Sequence, residues 1–273
     1  MRINSWHNSI MQKIKPRVAM RPLQVSEGTE FDLIRKYDPN AICLAVENRD
    51  GYYFIKRVLD FSSAAVLLVL FFPLMLLIAL LIILYSPGPV FFVQERVGAK
   101  RQRLGNRLYW KKTIFRCYKF RTMRINADPS LHQAYMRALI ENNQEKMAAL
   151  QGQDTKIRKL VRDPRITRPG KFLRKTSLDE LPQLFNVILG EMSLVGPRPA
   201  IPYEVELYKS WYMQRLEAQP GITGLQQVTA RSTFDFDQQM RLDIQYIQRQ
   251  SFWLDIKIML KTPFVVITTR GAQ

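Results

Sequence analysis

The chain has 273 residues, with 41 Lys and Arg against 23 Asp and Glu, giving a formal charge of +18. That excess favours polyanionic partners, namely nucleic acid, anionic lipid headgroups or phosphorylated substrates, without choosing among them. Cys43, Cys117, His7 and His132 are too isolated for a disulfide framework, a thiolate or histidine zinc site, or a Ser-His-Asp arrangement, so any metal is a hard cation on carboxylates and phosphates.

Residues 1–50 are mixed and polar, with Lys13, Lys15 and Arg17 near the start and no apolar core at signal-peptide distance. They read as a cytoplasmic extension with some order around Phe31-Asp32-Leu33-Ile34. From Val58 to Tyr85 runs the main hydrophobic stretch, ~42 Å long as one helix against the ~30 Å a bilayer core requires. Pro73 near its centre predicts a kink. Lys56 and Arg57 precede the run, and Arg96, Lys100, Arg101 and Arg103 follow it, so both ends prefer the cytoplasm. These residues leave a re-entrant hairpin and a plain crossing both open.

Ser86-Pro87-Gly88-Pro89 then breaks the pattern, and Val90 to Gly98 predicts a short strand and a turn. The basic, aromatic stretch Tyr109 to Met123 suits a nucleic-acid surface, or a strand alternating between core and a phosphate site. Next to a membrane segment the second reading is favoured. Asp128 to Leu160 predicts one or two surface helices interrupted near Gly152. Arg162 to Gly170 is a basic loop leading into Phe172-Leu173-Arg174.

The sequence from Arg174 to Val187, Arg-Lys-Thr-Ser-Leu-Asp-Glu-Leu-Pro-Gln-Leu-Phe-Asn-Val, sets two adjacent carboxylates, Asp179 and Glu180, at a helix start. On the motif alone, Ser177 and Glu180 form a capping box in which the acid only satisfies a helix terminus. Pro182 places the helix start anywhere from Ser177 to Leu181, with a helix from Leu181 to Leu189 closed by Gly190. Glu191 to Pro199 reads as a rigid loop presenting Arg198, and Tyr203 to Ala218 as an amphipathic helix. Pro220 to Gly224 is a turn whose Gly-x-x-Gly weakly matches an RNA-clamping loop. Phe234 to Gln250 is helical, and Ser251 to Lys261 suits either the membrane interface or a core-facing helix. No Walker loop, Rossmann glycine fingerprint or HExxH motif occurs.

Taken together, Lys119-Phe120-Arg121-Thr122-Met123, Arg174 to Val187, Met192 to Pro199, Pro220 to Gly224 and Leu254 to Ile258 resemble the bacterial sugar transferase family, the monotopic phosphoglycosyl transferases. The resemblance runs from Lys56 to about Arg270. It implies an α+β fold: a mostly helical membrane-associated catalytic domain with a re-entrant hydrophobic helix hairpin, short strands and interfacial amphipathic helices. It divides the chain into the 1–50 extension, a membrane helix over 51–90 broken at Phe72-Pro73, and a catalytic region over 91–273 with a helical insertion at 126–160. That insertion suits a cover over the site or a homo-oligomer contact. The larger relatives' additional membrane helices and nucleotide-fold domain are not expected here.

The resemblance further implies transfer of a hexose-1-phosphate from a UDP-sugar to polyprenyl phosphate at the cytoplasmic face of the bacterial inner membrane. Asp179 is then the nucleophile, already ionised at an ordinary carboxylate pKa, and Glu180 the acid that helps Asp179 hold Mg²⁺. Arg174, Arg198 and Arg231 would contact the donor phosphates, with Lys119 beside them. No nucleic-acid partner is expected on this reading. The competing one, a membrane-tethered basic module for nucleic acid or lipid, explains the charge but not the acidic pair, and predicts steeply salt-dependent binding.

Overall fold

The computed structural model of the protein describes residues 34–44, 49–151, 163, 165–229 and 234–267. Its longest element is α1, Asp50–Tyr85, a single helix of 36 residues and so ~54 Å along its axis. Lys56, Asp60, Ala64, Met75, Ile78 and Ile82 make its buried stripe, while Val66, Val69, Leu70, Leu77 and Leu84 are exposed. Its most apolar 18-residue window has a mean hydropathy of 3.3 and only 17% of it is buried, so this surface is not consumed by a protein core. α1 is long and apolar enough to cross a membrane. The predicted break is not an end of the helix. α1 runs through Phe72 and Pro73 as one element, because a proline removes a single backbone donor while the flanking turns keep theirs.

Both ends of α1 are fastened to the remainder of the protein. At the N-terminal end Arg57 donates to the carbonyls of Val187 and Ile188, at 2.6 and 2.7 Å. Asp60 accepts from the Leu194 amide at 3.0 Å. At the C-terminal end Arg121 donates to the carbonyls of Ser86 and Pro87.

A three-stranded antiparallel sheet follows, in the order β1-β3-β2. The strands are β1 (Ala41–Leu44), β2 (Phe91–Leu104) and β3 (Arg107–Phe120). β2 and β3 pair from Phe91 with Phe120 to Leu104 with Arg107, closing at Gly105, whose φ of +57° suits the first position of a tight hairpin turn. The strand predicted to turn at Gly98 therefore continues six residues further. Gly98 pairs with Thr113, and the Phe115 ring covers the space a Cβ would have taken. β1 adds part of the predicted extension to the sheet, with Ile34, Ala41 and Tyr109 forming a small core; residues 1–33 and 45–48 lie outside the described residues.

α2 (Ser130–Ile140) and α3 (Gln144–Gln151) pack through Tyr135, Leu139 and Met147 on Tyr212, Phe236 and Met240. Their break falls at Asn142, φ +54°, and Gly152 lies outside the described residues. α4 (Arg168–Thr176), a 3-10 turn (Leu178–Glu180) and α5 (Gln183–Ile188) carry the acidic motif. The amphipathic helix predicted over Tyr203 to Ala218 is instead α6 (Pro202–Glu206) and a separate 3-10 stretch (Ser210–Leu216).

The loop region after α5 contains β4 (Ser193–Val195), which pairs in parallel with β5 (Gly221–Thr223). The predicted Pro220–Gly224 turn is thus largely strand. Its glycine is needed there for close approach, since a Cβ on Gly221 would lie 2.0 Å from the Gly196 nitrogen. α7 (Leu225–Thr229), α8 (Phe236–Gln248) and α9 (Phe252–Ile267) complete the described chain. The main core joins Ala64, Phe115, Leu184, Val187, Val195, Leu225, Tyr246 and Ile258. In the last helix Asp255 and Ile258 are buried, as the core-facing reading expects, while Phe252, Trp253, Leu260, Phe264 and Ile267 are exposed.

Candidate active site

The acidic pair is placed by two abrupt changes of backbone direction. α4 begins with the Thr167 side chain accepting from the Gly170 amide at 3.1 Å, and ends where Ser177 turns left-handed at φ +57°. That residue reverses the chain into the 3-10 turn, whose second and third positions are Asp179 and Glu180. Ser177 makes no side-chain cap to the turn, so the capping box the motif suggested is not what Glu180 serves. Its Oε1 instead accepts from Lys119 Nζ at 2.7 Å.

Asn186 fixes this turn against β3. Fully buried, its side chain accepts from the Tyr118 amide at 3.1 Å and donates to the Arg116 carbonyl at 2.6 Å. Lys119 is the next residue along that strand, so its reach to Glu180 follows from the α5–β3 register. The apolar residues of the motif have a different task. Leu178 and Leu181 pack with Met75, Ile78, Ile82, Phe120 and Leu173, which seats the acidic turn against the side of α1.

Three cations surround the pair. Arg198 Nη1 lies 3.9 Å from Glu180 Oε1 with its side chain half exposed. Arg174 is held by its Nε donating to Thr122 Oγ1 at 2.9 Å, a contact possible because Gly170 lets α4 lie directly on the Thr122 backbone. Burial and the neighbouring Glu180 carboxylate push Asp179 up to about 6, against the opposing pull of Lys119, Arg174 and Arg198. The expectation of an ordinary carboxylate is corrected accordingly: Asp179 is only 8% exposed, and its desolvation outweighs the cations around it. At pH 7 it is still mostly ionised.

A shallow cleft opens beside Glu180, lined by Arg96, Lys119, Gln183, Arg198, Ile222 and Gln227 among others. Lys119, Glu180, Asp179, Arg174 and Arg198 are therefore gathered as predicted. Arg231 lies outside the described residues, and Phe72 and Pro73 belong to the exposed face of α1. Arg96, Gln183 and Gln227 were not singled out from the sequence. Gln183 lay within the Arg174 to Val187 motif without being given a role, whereas Arg96 looked like one more charge flanking the long apolar segment. Among the described residues no group of three or more His, Cys, Asp or Glu could hold a metal. Two adjacent carboxylates nevertheless fit Mg²⁺, which is commonly held by one or two carboxylates with the remaining positions given to phosphate oxygens and water.

The sequence pattern of the family described as "Bacterial sugar transferase" matches residues 51–269, a span containing all of these side chains. The chain belongs to the bacterial sugar transferase family. It is 40% identical over 217 residues to the exopolysaccharide production protein ExoY of Rhizobium meliloti, covering 80% of this chain and 87% of that one. It is 40% identical over 219 residues to the undecaprenyl-phosphate galactose phosphotransferase of Salmonella typhimurium, covering 80% of this chain and 42% of that one. The galactosyl transferase CpsE of Streptococcus agalactiae is 46% identical over 187 residues, 68% of this chain and 36% of its own. The chain thus spans less than half the length of two of these relatives and most of the third.

Proposed function

We propose that the protein transfers a hexose-1-phosphate from a UDP-sugar to polyprenyl phosphate through a covalent intermediate on Asp179. The observation that carries the reading is the position of the Asp179–Glu180 turn, with Lys119, Arg174 and Arg198 around it and its own leucines packed on α1. Such a site offers cations to a soluble diphosphate and an apolar flank to a lipid phosphate. Relatives include proteins named for galactose, glucose and N-acetylgalactosamine phosphate transfer to undecaprenyl phosphate, which supports a UDP-hexose donor.

In the first step an Asp179 Oδ attacks the β-phosphorus of the donor. The bond from that phosphorus to the bridging oxygen breaks, and UMP leaves with the electron pair. In the second, an oxygen of polyprenyl phosphate attacks the same phosphorus and the Asp179 carboxylate departs, so neither step needs a general base. Arg198, Arg174 and Lys119 offset the charge that gathers as two anions meet. Glu180 with Asp179 would hold Mg²⁺, which supplies charge neutralisation of the phosphates.

The membrane reading belongs to the same proposal. α1 enters and leaves on the cytoplasmic face of the inner membrane. This is supported by Arg57, Asp60 and Arg121, which fasten both helix ends to one catalytic body. A straight crossing would set the ends ~54 Å apart on opposite sides of the bilayer. The exposed Phe252, Trp253 and Phe264 of α9 would lie at the interface.

Incubation with Mg²⁺ and UDP-galactose, UDP-glucose or UDP-N-acetylgalactosamine, without acceptor, should add one sugar-phosphate mass to the peptide containing Asp179. UMP should be released in stoichiometric amount, and the Asp179→Asn variant should show neither. Full turnover without any adduct would mean that the lipid phosphate attacks directly.

A further inference from the structure

The loop that presents Arg198 has every carbonyl from Pro197 to Ala200 occupied. Pro197 accepts from the Gly221 amide at 2.8 Å and Ala200 from the Val97 amide at 2.8 Å. Between them, the Arg198 carbonyl accepts from Arg215 Nη2 at 2.7 Å and the Pro199 carbonyl from Arg96 Nη1 at 2.9 Å. Two backbone amides and two buried arginines thus hold four consecutive peptide groups while the Arg198 side chain stays half exposed beside Glu180.

Arg215 is the more informative of the two arginines because each of its three guanidinium nitrogens donates a hydrogen bond. Its Nε donates to Asp243 Oδ2 at 2.7 Å, its Nη1 to the Tyr208 hydroxyl at 2.7 Å, and its Nη2 to Arg198. The Arg215 and Asp243 side chains are 7% and 2% exposed, so neither is a solvated surface charge. A buried pair of this kind is a poor source of net stability, because desolvating both ions offsets most of their attraction. What it does provide is a fixed direction. A planar guanidinium locked on two sides delivers its third edge to one carbonyl with little freedom.

We infer that Arg215, anchored by Asp243 and Tyr208, is a positioning residue that sets the backbone from which Arg198 reaches the donor. This rests on the reading that Arg198 grips the donor phosphates. A half-exposed arginine has many rotamers, and immobilising its backbone lowers the cost of committing it to one phosphate geometry. Arg215 itself touches neither carboxylate of the acidic pair in the contacts described, so its effect should pass through Arg198.

The test is a double-mutant cycle on kcat/KM for the UDP-sugar, read as UMP release by the full-length protein in detergent or nanodiscs, with UDP affinity measured by calorimetry. Arg198→Ala should lower kcat/KM by about 10- to 100-fold, the range expected for lost charge-assisted bonds. Arg215→Lys, which cannot serve all three partners, should lower it by about tenfold on the basis of one such bond. In the Arg198→Ala background the same change should cost less than about twofold by the same measure. Tyr208→Phe removes one anchor with little change in volume and should show the same pattern more weakly if Arg215→Lys does not fold. Equal factors in both backgrounds would show a merely structural role and overturn the inference alone. An unchanged kcat/KM in Arg198→Ala itself would overturn the phosphate reading and this inference with it.

Discussion

Lys119 and Glu180 meet at 2.7 Å, with both side chains mostly buried at the mouth of the cleft. The sequence reading set Lys119 on phosphate and Glu180 on metal, and the structure pairs the two side chains with each other. The two roles are compatible if the pair opens when donor and Mg²⁺ arrive, Lys119 moving to a phosphate oxygen and Glu180 to the cation. Lys119→Met should then raise the donor KM by roughly 10- to 100-fold, the worth of a charge-assisted bond. It should also lower the Mg²⁺ concentration needed for half-maximal UMP release, since Glu180 no longer has to leave a lysine. A higher Mg²⁺ requirement in the variant would contradict the exchange.

Asp179 is the group for which function and stability oppose each other. Its pKa in the fold is about 6, against 3.8 for a free aspartate, because burial and Glu180 disfavour the charge. Between those values the folded protein holds a proton that the unfolded chain releases. Stability therefore falls as pH rises through the window, and the full penalty applies above it. A shift of that size corresponds to roughly 3 kcal/mol. With Mg²⁺ removed by chelator, Asp179→Asn should melt several degrees above the parent at pH 7.5, and the gap should shrink toward pH 4. Adding Mg²⁺ should stabilise the parent more than the variant. An inactive variant that is also less stable at pH 7.5 would mean that the carboxylate is structurally satisfied.

How much of this was visible in the sequence differs from residue to residue. Asp179, Glu180 and Arg174 lie within seven positions of each other, so local spacing alone brought them together. Arg198 could be placed because prolines on either side mark a loop of fixed shape. Arg96 could not, because its role depends on a bridge between Val97 and Ala200 and on the Pro199 carbonyl 103 residues away. Arg215 was hidden for a similar reason: it was assigned to an amphipathic helix that is really a 3-10 stretch, and its partner Asp243 is 28 residues away. The raised pKa of Asp179 was equally out of reach. It arises from desolvation in the assembled fold, which the surrounding positive charge gives no hint of.

Gly170 tests how tightly the site is tied to the strand. A Cβ there would lie 2.1 Å from the Thr122 carbonyl oxygen, a backbone atom that cannot swing aside. Gly170→Ala should therefore push α4 away from the Thr122 backbone, just past the end of β3, at a cost of about 1–3 kcal/mol, typical of overpacking. Because Thr122 Oγ1 also anchors Arg174, activity should fall further than the loss of folded protein explains. The check is specific activity per folded molecule at a temperature where the variant remains native. An unchanged value would separate α4 packing from Arg174 placement.

The attachment of α1 to the catalytic body depends on an asymmetric contact. Asp255 on α9 accepts from Lys56 Nζ at 2.8 Å, Tyr52 hydroxyl at 2.9 Å and Tyr246 hydroxyl at 2.7 Å. Lys56→Met removes one donor and leaves the carboxylate two hydroxyls. Asp255→Ala removes the acceptor these three donors share and the carboxylate hydrogen-bonded to the buried Lys56 ammonium, a loss of about 3–5 kcal/mol for pairs of this kind. The second variant should consequently lower the melting temperature in nanodiscs more than the first. It should also raise proteolysis between α1 and the remainder of the protein, because Lys56 and Tyr52 sit at the start of the helix. If Lys56→Met proves the worse of the two, the unpaired carboxylate must cost more than its two hydroxyl donors recover, and Lys56 rather than Asp255 is the anchor of that end of α1.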